Sequence, residues 1–200
     1  MSEVASDAIA VDVMALADLR DPQYSILRDR IVERLQAFDC SKSAHLQNFA
    51  RGEVYRWEAH GHSRTYVMIT PDGDDDIDVA AFFTVGMARL DLTKASKSQQ
   101  KKLCGNISMD QTGAFSIAEL ARSDRYTNVQ LPGAMILESA LAVIESARAL
   151  VGGRFVVVDA QPVVFDALYS KAGFSQIATA ASPRGMEDAA FITACRVLRG

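Results

Sequence analysis

The sequence predicts a single mixed α/β domain. Three observations carry that expectation. Helix-spaced and strand-type segments alternate in the order helix, helix, strand, strand, strand, helix, strand, helix, strand, strand. The stretch from 114 to 159 is strand, helix, strand, a unit expected to form a right-handed parallel crossover. No repeat, linker or low-complexity segment divides the chain.

The first 20 residues are acidic and lack an early basic cluster, so they are expected to be a flexible N-terminal segment and not a secretory signal. Asp21-Pro22 then starts a helix, with a capping carboxylate and a proline whose missing donor does no harm in the first turn. Ile26, Leu27, Ile31, Leu35 and Phe38 come next at helical spacing, which predicts an amphipathic helix over 22–38. "CSKSAHLQNFARGEVYRWEAHG" predicts a second helix, capped by Ser41 or Ser43 and ended by Gly61. Its apolar face is Leu46, Phe49, Ala50, Val54 and Trp57.

A hairpin comes after it, in which "RTYVMIT" and "IDVAAFFTVGMARL" flank the turn "PDGDDD". Residues 93–113 are polar and stay unassigned, with room for a helix. "AFSIAELA" (114–121) is a central strand. Ile136, Leu137, Ala140, Leu141, Ile144 and Ala147 make Gly133 to about Leu150 a helix, stopped by Gly152-Gly153. "RFVVVDA" is a strand of the buried type. "PVVFDALYSKA" is a helix opened near Pro162 and ended at Gly173, and "FSQIATA" and "AAFITACRVL" close the chain as two strands.

Composition narrows the function. The chain has 200 residues, 49% of them hydrophobic, and no apolar run near the roughly 18 residues of a bilayer span, so no membrane role is expected. Cys40, Cys104 and Cys195 lack metal-type spacing and fit buried thiols in a reducing compartment, which suggests the cytoplasm. A net charge of −4 and a pI of about 5.4 disfavour general phosphate-backbone binding. The one basic run, "TKASKSQQKK", reads as a solvated face.

Other motifs carry no chemistry. "DGDDDID" places Asp72, Asp74, Asp76 and Asp78 at alternate positions, but its glycine stands second and no glutamate occupies the twelfth position, so it reads as a solvated turn. His60 and His62 suit the negative end of a helix dipole. No Ser/His/Asp or Cys/His arrangement stands out, and no metal is expected.

Three stretches carry a resemblance. They are the strand "FSIAELA" leading through a loop into "GAMILESALAVI", then "RFVVVDAQP", and last "FDALYSKAGF". Over 114–180 these resemble the GNAT acyltransferases, which move an acyl group from acetyl-CoA to an amine. "FDC", "HSRTYVMI" and "VAAFFTVGM" look like the front half of toxin-type GNAT proteins. "LVGGR" and "ELARSDRY" look like a GNAT subgroup of bacteria and their phages. The resemblance implies a single GNAT domain over 1–200, with a mostly antiparallel sheet, a splayed central parallel strand pair, and an acyl-CoA-binding core at 114–180.

One departure stands out. The family's loop [Q/R]-x-x-G-x-[G/A] holds the CoA pyrophosphate on backbone N–H groups and a helix N-terminus. Here "RYTNVQLPGA" lacks the middle glycine, and Pro132 supplies no N–H. Aligning on the helix puts the last glycine at Gly133 and the earlier positions on Asn128 and Leu131; a register from Tyr126 gives Thr127, Gln130 and Pro132. The amides of Val129, Gln130, Gly133 and Ala134 are the expected cradle.

The resemblance also implies roles. Acyl transfer needs a neutral amine, a polarised thioester carbonyl and a proton for the thiolate. Leu120, Ala121 and Arg122 match the strand whose backbone holds the thioester. Tyr169 matches the tyrosine that protonates the sulfur, and a phenol with its ordinary pKa of about 10 is protonated at neutral pH. Taken alone, Tyr169 reads as a core tyrosine with a wet hydroxyl. Glu119 is the candidate base, against a strand-end carboxylate paired with a surface arginine. Asp159 is a candidate cofactor contact, against a helix cap before Pro162.

The implied function is transfer of an acetyl group from acetyl-CoA to a primary amine of a small molecule or protein. One alternative is toxin-like acetylation of aminoacyl-tRNA. The acidic pI, the Asp-rich turn, and Glu119 where those toxins tend to carry arginine stand against it. Another is a GNAT-fold binding module without CoA affinity. The partners expected are acetyl-CoA and an amine, with tRNA the one nucleic acid in view; a homodimer is left open.

Overall fold

Seven runs of β-type residues pair into one sheet. The chain is described from a computed structural model over residues 8–73, 76–107, 109–183 and 186–198. The strands are β1 (Asp12–Ala15), β2 (Ser63–Pro71), β3 (Ile77–Asp91), β4 (Gln111–Arg122), β5 (Phe155–Ala160), β6 (Ser175–Ala180) and β7 (Phe191–Val197). Their order is β1-β2-β3-β4-β5-β7-β6. The helices are α1 (Ser25–Gln36), α2 (Ala44–Asn48), α3 (Val54–Ala59), α4 (Lys97–Cys104), α5 (Gly133–Val151) and α6 (Pro162–Val164). Contacts group into two compact units, 8–84 with 119–140 and 85–118 with 141–198.

In the first unit, β1 runs antiparallel to β2 with Asp12 opposite Ile69 and Ala15 opposite Tyr66. Leu16 and Leu19 behind it are buried. Leu16 and Leu19 belong to a core, with Met14 packed against it. A four-residue edge strand takes its order from its partner and leaves too short a pattern to find in sequence. Asp21 caps a 3₁₀ turn at Pro22–Tyr24 by accepting the Gln23 N–H, and α1 begins at Ser25. Ile31, Leu35 and Phe38 pack with Phe49, Val54, Val67, Val79 and Phe82. Phe82 lies edge-on to Phe38 at 5.2 Å and stacked on Phe49 at 6.0 Å.

Two residues expected on apolar faces point outward. Ile26, in the first turn of α1, is 74% exposed, and Trp57 is 42% exposed. Trp57 has a local cause. Ser43 caps α2 as expected, but a π turn at Phe49–Glu53 interrupts the helix around Gly52, with the Val54 N–H donating to the Phe49 carbonyl. The extra residue rotates the succeeding α3 by roughly 100° and takes Trp57 off the stripe.

In the second unit, β5 and β7 are antiparallel from Phe155 opposite Val197 to Ala160 opposite Ile192. β6 pairs with the other edge of β7, with a register shift between Gln176 and Ala178. The unassigned 93–113 stretch contains α4, opened by a reciprocal Ser96/Gln99 capping box. Its Leu103 and Cys104 pack with Leu90, Leu92, Ala114, Phe155, Val157 and Ile177. Cys40, Cys104 and Cys195 are buried free thiols, and burial pushes that of Cys195 up to about 11.

β4 and β5 are parallel, as the strand–helix–strand unit requires. They share two rungs, Phe115 with Val156 and Ser116 with Val157. Among the described residues the ladder stops there, while β5 stays paired to β7 through Ala160. No helix among the described residues is long and apolar enough to cross a membrane.

Candidate functional site

Alternation along β4 decides what its end presents. Ile117 is buried, Ala118 exposed and Ala121 buried, which puts Glu119 on the inward face of the strand. Its amide donates to the Thr84 hydroxyl at 3.0 Å. Its carboxylate, with a side chain only 16% exposed, meets Nε2 of His45 at 2.9 Å. Glu119 is thus paired to a histidine and not to a surface arginine. The bond to Glu119 raises the His45 pKa above its usual 6.5, with burial opposing. Sequence reasoning missed His45, because no local pattern links residues 74 positions apart.

The loop after β4 is closed on itself. Thr127 and Gln130 bond reciprocally: the Gln130 carboxamide oxygen accepts the Thr127 N–H at 2.9 Å, and the Thr127 hydroxyl accepts the Gln130 N–H at 3.2 Å. The Leu131 N–H donates to the Thr127 carbonyl at 3.0 Å, and the Leu131 side chain is buried. Arg122 donates to the Leu131 carbonyl at 2.8 Å and to the Asn128 side-chain oxygen at 3.1 Å. That oxygen also accepts the Gly133 N–H at 3.4 Å. The residues of the expected cradle are engaged to different degrees. The Gln130 and Leu131 amides turn inward, the Asn128 side chain is engaged within the loop, and the Arg122 guanidinium braces it. Among the described residues the amides of Val129 and Ala134 have no hydrogen-bond partner, and both residues are exposed. Lacking the middle glycine, the loop closes through side chains instead.

Acids and bases brace the same region. Asp78 is buried, accepts from the Tyr126 hydroxyl at 2.7 Å and lies 2.9 Å from Arg125. Burial and the Asp78 carboxylate hold the Tyr126 hydroxyl well above the ordinary phenol range. Arg34 reaches Asp72 at 3.2 Å and Asp76 at 2.6 Å. Asp72, Asp76 and Asp78 of the Asp-rich turn are thus paired with arginines and not simply solvated; Asp74 and Asp75 lie outside the described residues. Among the described residues no cluster of His, Cys, Asp or Glu could hold a metal ion. The shallow cavity lined by Arg56, Trp57, His60 and His62 touches none of the predicted residues.

In the second unit, the expected helix to Gly173 is shorter. After α6 comes a π turn at Phe165–Tyr169, with the Ser170 N–H donating to the Phe165 carbonyl at 2.8 Å. Apolar spacing cannot separate a π turn from an α turn over so few residues. Tyr169 ends that turn, is 6% exposed, and meets Phe174 edge-on at 5.4 Å. Gly173, at φ +84°, lets the chain reverse into β6. Asp159 caps no helix: it is exposed and accepts from Thr193, its cross-strand neighbour, at 2.6 Å. Its carboxylate is engaged along the sheet by the Thr193 hydroxyl.

No protein-family model matches the chain, and no curated protein sequence does. Solved structures do. A bacterial toxin is similar over 94% of this chain and 92% of its own, at 14% identity and a TM-score of 0.68. AtaT complexed with acetyl-methionyl-tRNAfMet is similar over 91% of this chain and 94% of its own, at 22% identity and a TM-score of 0.64. AtaTR bound with AcCoA is similar over 90% and 91%, at 19% identity and a TM-score of 0.56. These likenesses establish the fold, which is the GNAT fold implied by the sequence resemblance.

Proposed function

We propose that the chain is an acetyl-CoA-dependent N-acetyltransferase acting on a primary amine. The observation that carries the reading is the parallel β4–β5 ladder, which among the described residues ends after two rungs, in a fold shared with a structure that binds AcCoA. A strand whose backbone groups are released from its neighbour has donors and acceptors free for a thioester and its pantetheine arm. Leu120, Ala121 and Arg122 are proposed to line the thioester, and Val129, Gly133 and Ala134 to meet the phosphates at the start of α5. Tyr169 is proposed as the acid that protonates the departing thiolate and Glu119 as part of the base.

The α-amine of an aminoacyl-tRNA is the acceptor class best supported. AtaT was solved with acetyl-methionyl-tRNAfMet. The objection from the Asp-rich turn weakens, since Arg30 and Arg34 pair its Asp76 and Arg125 its Asp72. Free buried thiols support a cytoplasmic setting. A binding module without CoA affinity is the second reading, favoured by the inward-turned amides of Gln130 and Leu131.

Incubation with acetyl-CoA and methionyl-tRNA, with methionine amide in parallel, tests the reading. The expected product is the N-acetylated amine with stoichiometric release of free CoA thiol. Acetyl-CoA left intact beside both amines would favour the module.

A further inference from the structure

We infer that the proton acceptor for the amine is the His45 imidazole, with Glu119 as the positioning residue that holds it; this rests on the acyltransfer reading. Both partners are locked in place. Ser43 caps α2 by accepting the Leu46 N–H, which fixes the turn that carries His45. Glu119 is anchored by its own amide on Thr84, next to the Leu120–Arg122 stretch proposed for the thioester. A carboxylate accepting from Nε2 requires the proton there and leaves the Nδ1 lone pair to act. The His45 side chain is 30% exposed, so the ring is not sealed from solvent.

Its pairing differs in kind from its neighbours'. Arg34–Asp76, Arg51–Asp39 and Arg125–Asp78 join carboxylates to guanidinium groups that keep their protons at any working pH. His45–Glu119 joins a carboxylate to an imidazole, a group that can take up and release a proton. Glu119, from β4, is the charged group that shifts the imidazole. On the π turn packed against α2, Arg51 is engaged by Asp39 and Glu53 by Arg56. On the approach to α2, Asp124 accepts the Ser41 N–H, with Lys42 beside it.

The proton balance closes. Nδ1 takes one proton from the ammonium, and the neutral amine attacks the thioester carbonyl carbon. The carbon–sulfur bond breaks and the thiolate takes the Tyr169 phenol proton. The second proton on the new amide nitrogen restores the phenol, and the imidazolium releases its proton to solvent. Amine acetylation at neutral pH yields one proton net, and His45 is where it leaves.

The test is the pH profile of acetyl transfer, from pH 5.5 to 9, to the fastest of methionyl-tRNA, methionine amide and putrescine. Wild type is compared with His45→Gln and Glu119→Gln, and acetyl-CoA affinity is measured for each as a check on folding. His45→Gln should lower kcat/KM by about 10²-fold and flatten the rise with pH. Glu119→Gln should move that rise down toward about 6.5, the unassisted histidine value, with acetyl-CoA affinity unchanged in both. A His45→Gln enzyme that binds acetyl-CoA and keeps both the rate and the rise would overturn the assignment while leaving acyltransfer intact. A wild-type protein that transfers to none of the three amines fails the acyltransfer reading and takes this one with it.

Discussion

Tyr169→Phe is expected to lower kcat by about 10²- to 10³-fold while the acetyl-CoA dissociation constant stays within about twofold. The substitution isolates the hydroxyl. The ring is buried and lies edge-on to Phe174, so phenylalanine keeps the packing that closes the turn before β6. Removing the ring instead would leave a cavity costing about 3–5 kcal/mol, and a lost fold would then be confused with a lost acid. The expected pattern, lower kcat with unchanged binding, is that of a group used only when the carbon–sulfur bond breaks. Single-turnover kinetics with saturating acetyl-CoA measures it. Unchanged turnover removes the acid role.

Gly153→Val is expected to destabilise the protein by about 3 kcal/mol, read as a melting temperature lower by about 6–12 °C. Two costs combine there. Gly153 has φ +116°, a conformation that L side chains rarely adopt, and a Cβ placed on it would lie 2.6 Å from the Phe115 ring. That ring cannot move aside cheaply, because Phe115 is the first rung of the β4–β5 ladder and is itself buried. Gly152 is the control: its φ is +76° with no atom within 4 Å of an added Cβ. Gly152→Ala should therefore cost only the backbone strain, about 1 kcal/mol. Equal melting temperatures for the two variants would contradict the packing argument.

How much of the fold and site was legible in the sequence depends on the range of the contact concerned. The spacing of Ile136, Leu137, Ala140, Leu141 and Ile144 predicts α5, and the double glycine behind it predicts where it stops; both signals sit within one element. The continuous apolar run of β5 was legible for the same reason. β1 was not, because its four residues are ordered by pairing with β2. Neither π turn was legible: each changes the hydrogen-bond step by one residue and leaves composition untouched, which displaced Trp57 from the expected face. Glu119 and Tyr169 could each be picked out as a residue type in context. The partners that give them meaning could not. His45 and Thr193 reach Glu119 and Asp159 across the fold, and the Thr127–Gln130 turn reads in sequence as an ordinary polar loop.

That turn also departs from the glycine-rich loop of the GNAT fold. The GNAT cradle uses glycine to let backbone donors approach the pyrophosphate. This chain offers a self-bonded turn braced by Arg122, with Val129 and Ala134 as outward amides and Gly133 only weakly engaged. Calorimetric titration of the purified protein with acetyl-CoA is therefore the most direct measurement. A saturable one-to-one heat and a raised melting temperature at saturation are predicted. Flat heats with no thermal shift at millimolar acetyl-CoA would contradict an acetyl-CoA-dependent enzyme.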